Sequence, residues 1–214
     1  MKVVLFDLDG TIINSQAGVT NCVKYALEST GITEVDMTIL RKFIGPPLLN
    51  SFQKYYGFSE EKADELVKKY RERYQKTGIF ECELYTDVES TLKNLKQKGY
   101  VIGLASSKPE EFCKQILEYF HIDTYFDEVV GAQLNGPRNE KADVLKEALE
   151  RLKVINLSQV TLVGDTKFDA IGAKQAGISC IGVSYGFGNR SELIENEVVA
   201  LVDSMKEVDD YFEE

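Results

Sequence analysis

Apolar residues recur along the chain in two rhythms, and the change from one to the other divides it. Val3-Val4-Leu5-Phe6 is an unbroken apolar run of strand length, the pattern of a strand covered on both faces in a parallel sheet. From residue 15 to about 80 the rhythm is helical. Val19, Val23, Ala26 and Leu27 share one face of a helix over 15–29, with Ser15 set to cap it and Gly31 to end it. A short helix over 38–43 stops at Gly45-Pro46-Pro47, and another over 48–56 stops at Gly57. A long amphipathic helix opens at Ser59-Glu60-Glu61, with acids in its first turn, and runs to about residue 76. No strand is expected between 15 and 80. From Tyr85 onward helices and strands alternate. Helices are expected over 86–98, 109–120, 140–152, 167–176 and 204–212. Strands are expected over 100–105, 126–130, 160–163, 178–183 and 200–202.

Strands separated by helices of this length imply right-handed crossovers and a parallel sheet. The expected architecture is α/β: a doubly wound, Rossmann-like parallel sheet from 1–14 and 81–214, with an inserted all-helical cap over 15–80. The 214 residues and 43% hydrophobic content are enough for a substantial core.

Charge narrows the partners. There are 25 Lys+Arg against 35 Asp+Glu, a net charge of −10, which argues against nucleic acid or an anionic membrane surface. Cysteines 22, 82, 113 and 180 form no CxxC pair and match no zinc spacing, as expected of free thiols in a reducing compartment. The chain enters its first strand without a basic-then-apolar leader, and no apolar run is long enough to span a bilayer, so a cytoplasmic location is expected. His121, the single histidine, excludes a histidine-rich metal site; beside Asp123 at a helix end, it reads as a helix-terminus charge.

Candidate chemistry gathers at the ends of strands. The first delivers Asp7 and Asp9, then Gly10 and Thr11. Two acids so placed are either ordinary turn formers or a pair reconciled by a cation or a shared proton, and Mg²⁺ suits such oxygens. The 100–105 strand delivers Ser106, Ser107 and Lys108, and the 160–163 strand delivers Gly164, Asp165, Thr166 and Asp169. Ligands bind beyond the carboxyl ends of parallel strands, so neighbouring strands would bring these groups into one crevice. Each has a plainer reading: Ser106 as a helix cap, Lys141 as a solvated first-turn residue, Asp169 as one half of a surface helix pair, Lys108 as a rim charge.

Together these segments resemble the haloacid dehalogenase-like superfamily, in its phosphoglycolate phosphatase-like branch with a small helical cap. The resemblance covers nearly the whole chain. Asp7-Leu8-Asp9-Gly10-Thr11 matches its DxDGT signature, Val101 to Ser106 its second motif, Lys141 its conserved-type lysine, and Gly164-Asp165-Thr166-Lys167-Phe168-Asp169 its GDxxxD. One such motif is weak, but four in order are specific. The resemblance implies Asp7 as nucleophile, forming an aspartyl-phosphate, and Asp9 as general acid and then base. It implies Mg²⁺ held by Asp7, the Asp9 backbone carbonyl and Asp165, with Asp169 supporting the site directly or through water. Ser106, Ser107 and Lys141 would hold the phosphoryl group, Ser107 through its backbone. Arg41 in the cap would contact the substrate's leaving group.

The implied function is a Mg²⁺-dependent phosphatase for a small phosphorylated metabolite, phosphoglycolate-like or a nucleoside monophosphate. A phosphomutase similar to β-phosphoglucomutase, a pyrophosphatase and a non-enzymatic phosphate-sensing module stand as alternatives, and monomer and homodimer are equally open. A dehalogenase is disfavoured by the second aspartate, Asp9.

Overall fold

A computed structural model describes residues 1–33, 35–133 and 138–213. Contacts divide the chain into two units. One comprises Met1–Ile13 and the residues from Leu84 on; the other is Asn14–Glu83.

The first unit is built on a six-stranded sheet. Its strands are β1 (Val3–Phe6), β4 (Val101–Pro109), β5 (Glu128–Ala132), β6 (Val160–Gly164), β7 (Ser179–Val183) and β8 (Ala200–Val202). All pairings are parallel, in the order β5-β4-β1-β6-β7-β8. The helices between them are α5 (Val88–Gln97), α6 (Glu110–Tyr119), α7 (Lys141–Arg151), α8 (Lys167–Ala176), α9 (Arg190–Glu195) and α10 (Met205–Tyr211). β1 is central, with all four of its residues buried. One face of the sheet sends Val3, Leu5, Ala105, Val130 and Leu162 into a core completed by Leu145 and Ala148 of α7 and Ala170 and Ala173 of α8. On α5, Thr91 donates to the carbonyl of Met205 at 3.0 Å, which fastens α10. The chain reverses direction across the sheet at β1, between β4 and β6, and such a switch point opens a crevice at the carboxyl ends.

The second unit is helical: α1 (Gln16–Glu28), α2 (Met37–Leu40), α3 (Leu48–Tyr56) and α4 (Glu60–Tyr74). Phe43 meets Phe52 edge-on at 4.9 Å, and Tyr70 stacks on Tyr74 at 5.3 Å. The Ser59 hydroxyl accepts the Lys62 N–H at 3.2 Å and caps α4. Arg73 grips Glu81 with two hydrogen bonds of 2.7 and 2.8 Å. Two short strands, β2 (Ile13–Asn14) and β3 (Glu83–Leu84), pair as a separate ribbon. Among the described residues no helix is long and apolar enough to cross a membrane.

Several boundaries differ from the sequence reading, and some short elements are absent from it. β4 runs on to Pro109, which precedes α6 with an extended backbone rather than entering its first turn. β5 begins at Glu128 instead of 126, because the Asp127 carboxylate turns back to accept the Ile102 N–H at 2.8 Å. The ribbon strands and α9 are too short to leave a periodic signal.

Leu5 is fully buried in the central strand that carries the site. Leu5→Ala should cost about 2–5 kcal/mol, read as a lower denaturant midpoint with an unchanged slope. A loss under about 0.5 kcal/mol would show that β1 is not the keystone described here.

Candidate active site

Phe6 of β1 is registered with Leu104 of β4 and Val163 of β6, so the next residue leaves the sheet at the crevice. That residue is Asp7, whose N–H donates to Val163 O at 2.9 Å. Its carboxylate accepts from Lys141 Nζ at 2.6 Å. Lys141 is the first residue of α7, and its ammonium is buried and fully engaged. It also donates to Ala105 O at 2.9 Å and pairs with Asp169 Oδ1 at 2.8 Å.

Asp169 has a second task. Its other oxygen, Oδ2, accepts the Thr166 N–H at 3.0 Å and the Thr166 hydroxyl at 2.8 Å, closing a capping box at the start of α8. Local folding of α8 and the position of Lys141 thus share one carboxylate. Asp165 lies just beyond β6, fully buried. Its Oδ2 accepts the Phe187 N–H at 2.7 Å, while its Oδ1 has no hydrogen-bond partner among the described residues. Two glycines make room for it. Gly10, at φ +90, and Gly186 each sit where a Cβ would run into the Asp165 side chain.

Oxygens of Asp7, Asp165 and Asp169 all lie within 4.8 Å of one another. Three acids crowd here around one ammonium that pairs with only two of them, and the electrostatics record the shortage. Burial pushes the Asp7 carboxyl up to about 6, with the attraction of Lys141 opposed by Asp169 and Asp9. Burial also raises Asp165 well above the ordinary carboxylate range, reinforced by Asp169 and Asp7. For Lys141 burial disfavours the ammonium, yet Asp169 and Asp7 more than reverse this, and it stays charged. A buried carboxylate oxygen without a partner, in an all-oxygen donor set, fits a hard divalent cation. Asp7, Asp165 and Asp169 are the residues that can hold it.

Ser106 is buried at the end of β4, and its Oγ accepts the Lys108 N–H at 3.3 Å. Ser107 is exposed. The Thr11 hydroxyl is buried without a partner among the described residues, while its carbonyl accepts the Tyr185 hydroxyl at 2.9 Å. Arg41 belongs to the helical unit, where it is exposed and opens a 3₁₀ turn over Arg41–Phe43.

Three plainer readings are corrected, the first being Lys141, which is buried and engaged rather than solvated. Lys108 is not a rim charge: its Nζ lies 2.7 Å from both oxygens of Asp9, with its side chain only 8% exposed. Asp169 is not a surface pair, being buried between Thr166 and Lys141. His121 adopts φ 58 at the end of α6, a left-handed position that closes the helix. The sequence reading also passed over Tyr185-Gly186-Phe187-Gly188. Alternate glycines directly after an apolar strand were the available signal, since such a loop lets backbone approach a ligand group closely.

Comparisons with known proteins point to one family. Residues 4–183 match the family model of the haloacid dehalogenase-like hydrolases. A Pseudomonas aeruginosa protein named 5'-nucleotidase is 38% identical over 190 residues, covering 89% of this chain and 86% of its own. A Vibrio vulnificus phosphoglycolate phosphatase is 28% identical over 97% of this chain and 94% of its own. The crystal structure of a predicted phosphatase from Clostridium acetobutylicum superposes with a TM-score of 0.92 at 41% identity, covering 99% of this chain and 97% of that one.

The raised Asp7 carboxyl sets a pH dependence. At about 6 against an ordinary 3.8, the folded state holds this proton more tightly than the unfolded state. The metal-free protein should therefore gain stability as pH falls from about 8 through 6, the gain being complete near 4 for this group. A divalent cation offsets the same cost of a buried, crowded carboxylate at high pH, where no proton competes. Mg²⁺ should raise the Tm of metal-free protein more at about pH 8 than at about pH 5. Thermal melts in EDTA and in Mg²⁺ at both pH values check this, and equal increments would contradict it.

Proposed function

The chain belongs to the haloacid dehalogenase-like hydrolases, and on that premise we propose that it is a Mg²⁺-dependent phosphatase acting on a small-metabolite phosphate monoester. The observation that carries this reading is the buried Asp7 carboxylate, 2.6 Å from Lys141 and beside the unpartnered oxygen of Asp165.

Asp7 attacks phosphorus, forming an Asp7–phosphorus linkage as the ester P–O bond breaks. Asp9 gives its proton to the departing alkoxide, which leaves as the alcohol. Ser106 and neighbouring backbone N–H groups hold the phosphoryl oxygens, and Lys141 offsets the negative charge on Asp7 and the phosphoryl group. Asp9, now ionised, takes a proton from water. The water oxygen bonds to phosphorus, the bond to Asp7 breaks, and inorganic phosphate leaves. Asp7, Asp165, Asp169 and the Asp9 carbonyl would hold Mg²⁺, which when bound would supply the charge neutralisation that lets a carboxylate approach a phosphate dianion.

The 5'-nucleotidase relative supports nucleoside monophosphates as the first substrates to try, and the phosphoglycolate phosphatase relative supports small phospho-carboxylates. The scattered cysteines, no two of them in a CxxC pair, support a reducing, cytoplasmic setting.

A phosphate-ester panel assayed for released phosphate tests the reading. Turnover should require Mg²⁺, stop in EDTA, and fall at least about 10³-fold in Asp7→Asn with the fold kept. Metal-independent turnover, or near-normal activity in Asp7→Asn, refutes it; isomerised sugar phosphate without free phosphate points instead to a phosphomutase. Arg41→Ala should change KM or the ranking of substrates while leaving Mg²⁺ affinity alone. An equal loss on every substrate, together with weaker Mg²⁺ binding, would remove Arg41 from specificity.

A further inference from the structure

We propose that Lys108 is the positioning residue for Asp9, holding its carboxylate away from the metal-binding acids and in place for proton transfer. This rests on Asp9 acting as the acid and base of the reaction above.

Two independent features converge on Lys108. The first is the grip itself: Nζ sits 2.7 Å from Asp9 Oδ1 and 2.7 Å from Oδ2, a symmetric clasp across 99 positions of sequence. The pair is largely withdrawn from water, with side chains 8% and 16% exposed, so it is screened less than a surface pair. The second is the backbone that delivers Lys108. β4 and β5 keep parallel register up to Ser106 opposite Gly131, and then Pro109 stands opposite Ala132. Ser107 and Lys108 are extra residues bulged out of β4. A bulge re-aims the side chains it carries, and bulges in parallel pairs are rare. The bulge is fastened at both sides, by the Lys108 N–H on Ser106 Oγ at 3.3 Å and by Cys113 Sγ on the Lys108 carbonyl at 3.5 Å.

The need for such a grip follows from the crowd next door. Asp9 is two residues from Asp7, which already shares its space with Asp165 and Asp169. A cation bound by those acids attracts any further carboxylate in reach, and Asp9 is the nearest in sequence. Drawn onto the cation, Asp9 would be spent as a ligand and lost for moving protons. The Lys108 ammonium competes with the cation for Asp9 and so keeps metal binding and proton transfer on separate carboxylates.

Leaving-group dependence is the readout that a merely structural role would not move. An aryl ester such as p-nitrophenyl phosphate departs without a proton, whereas an alkyl ester needs one. In Lys108→Met the ratio of alkyl to aryl turnover should fall about tenfold or more, within the range general-acid catalysis supplies. Mg²⁺ half-saturation should stay equal or tighten. Lys108→Arg should recover part of the ratio. Lys108→Gln serves in place of the Met variant if a thermal melt shows the latter unfolded. A folded Lys108 variant that loses both esters equally overturns the assignment. Asp9→Asn separates the two layers: a steep alkyl loss there with a flat Lys108 variant overturns Lys108 alone, and a flat Asp9→Asn overturns Asp9's role and Lys108's with it.

Discussion

One ammonium group serving two buried carboxylates is the constraint on which this molecule turns. Lys141 touches Asp7 at 2.6 Å and Asp169 at 2.8 Å, with Asp165 close enough to repel both. Removing such charges from water costs several kcal/mol per ion before attraction returns any of it. The arrangement survives because each participant is fixed by a different packed element: Asp7 by the central strand, Lys141 by the first turn of α7, Asp169 by the cap of α8. The sheet and its two covering helices supply the rigidity that holds like charges together, and the residual negative charge suits a cation.

Much of the fold was readable because it is periodic. Val3–Phe6 is apolar at every position and lands in the middle of the sheet, buried on both sides. Helices α1 and α4 have clear apolar stripes and punctuated ends, and both form close to the expected span. Errors fell where long-range contacts decide. Phe126 drew the β5 strand too early, while Asp127 spends its carboxylate on β4 and Lys96 instead. Weakly apolar Gly131 and Ala132 gave no hint that they continue the ladder.

The site divides along the same line. Asp7, Asp9 and Asp165 are legible through their spacing after apolar strands, since that spacing sets them at the carboxyl ends, whereas Asp169, in the first turn of α8, is legible only through the GDxxxD resemblance. Lys108 was misjudged because a lysine after two serines carries no local sign of burial, and its partner lies on another strand's exit. The bulge that turns it inward has no signature in the local residue pattern.

Asp165 shows where reading by side chain ends. The donor that aims it is a main-chain N–H, that of Phe187, reached through a glycine whose backbone passes against the carboxylate. The aromatic ring at 187 has no share in that hydrogen bond, so the position tolerates many amino acids in this respect and excludes only proline, which has no N–H to give. The orientation of a carboxylate placed to hold a cation is thereby stored in the course of a loop and not in its lettering. Substitution scans that read only side-chain chemistry would pass over the loop that holds the site in aim.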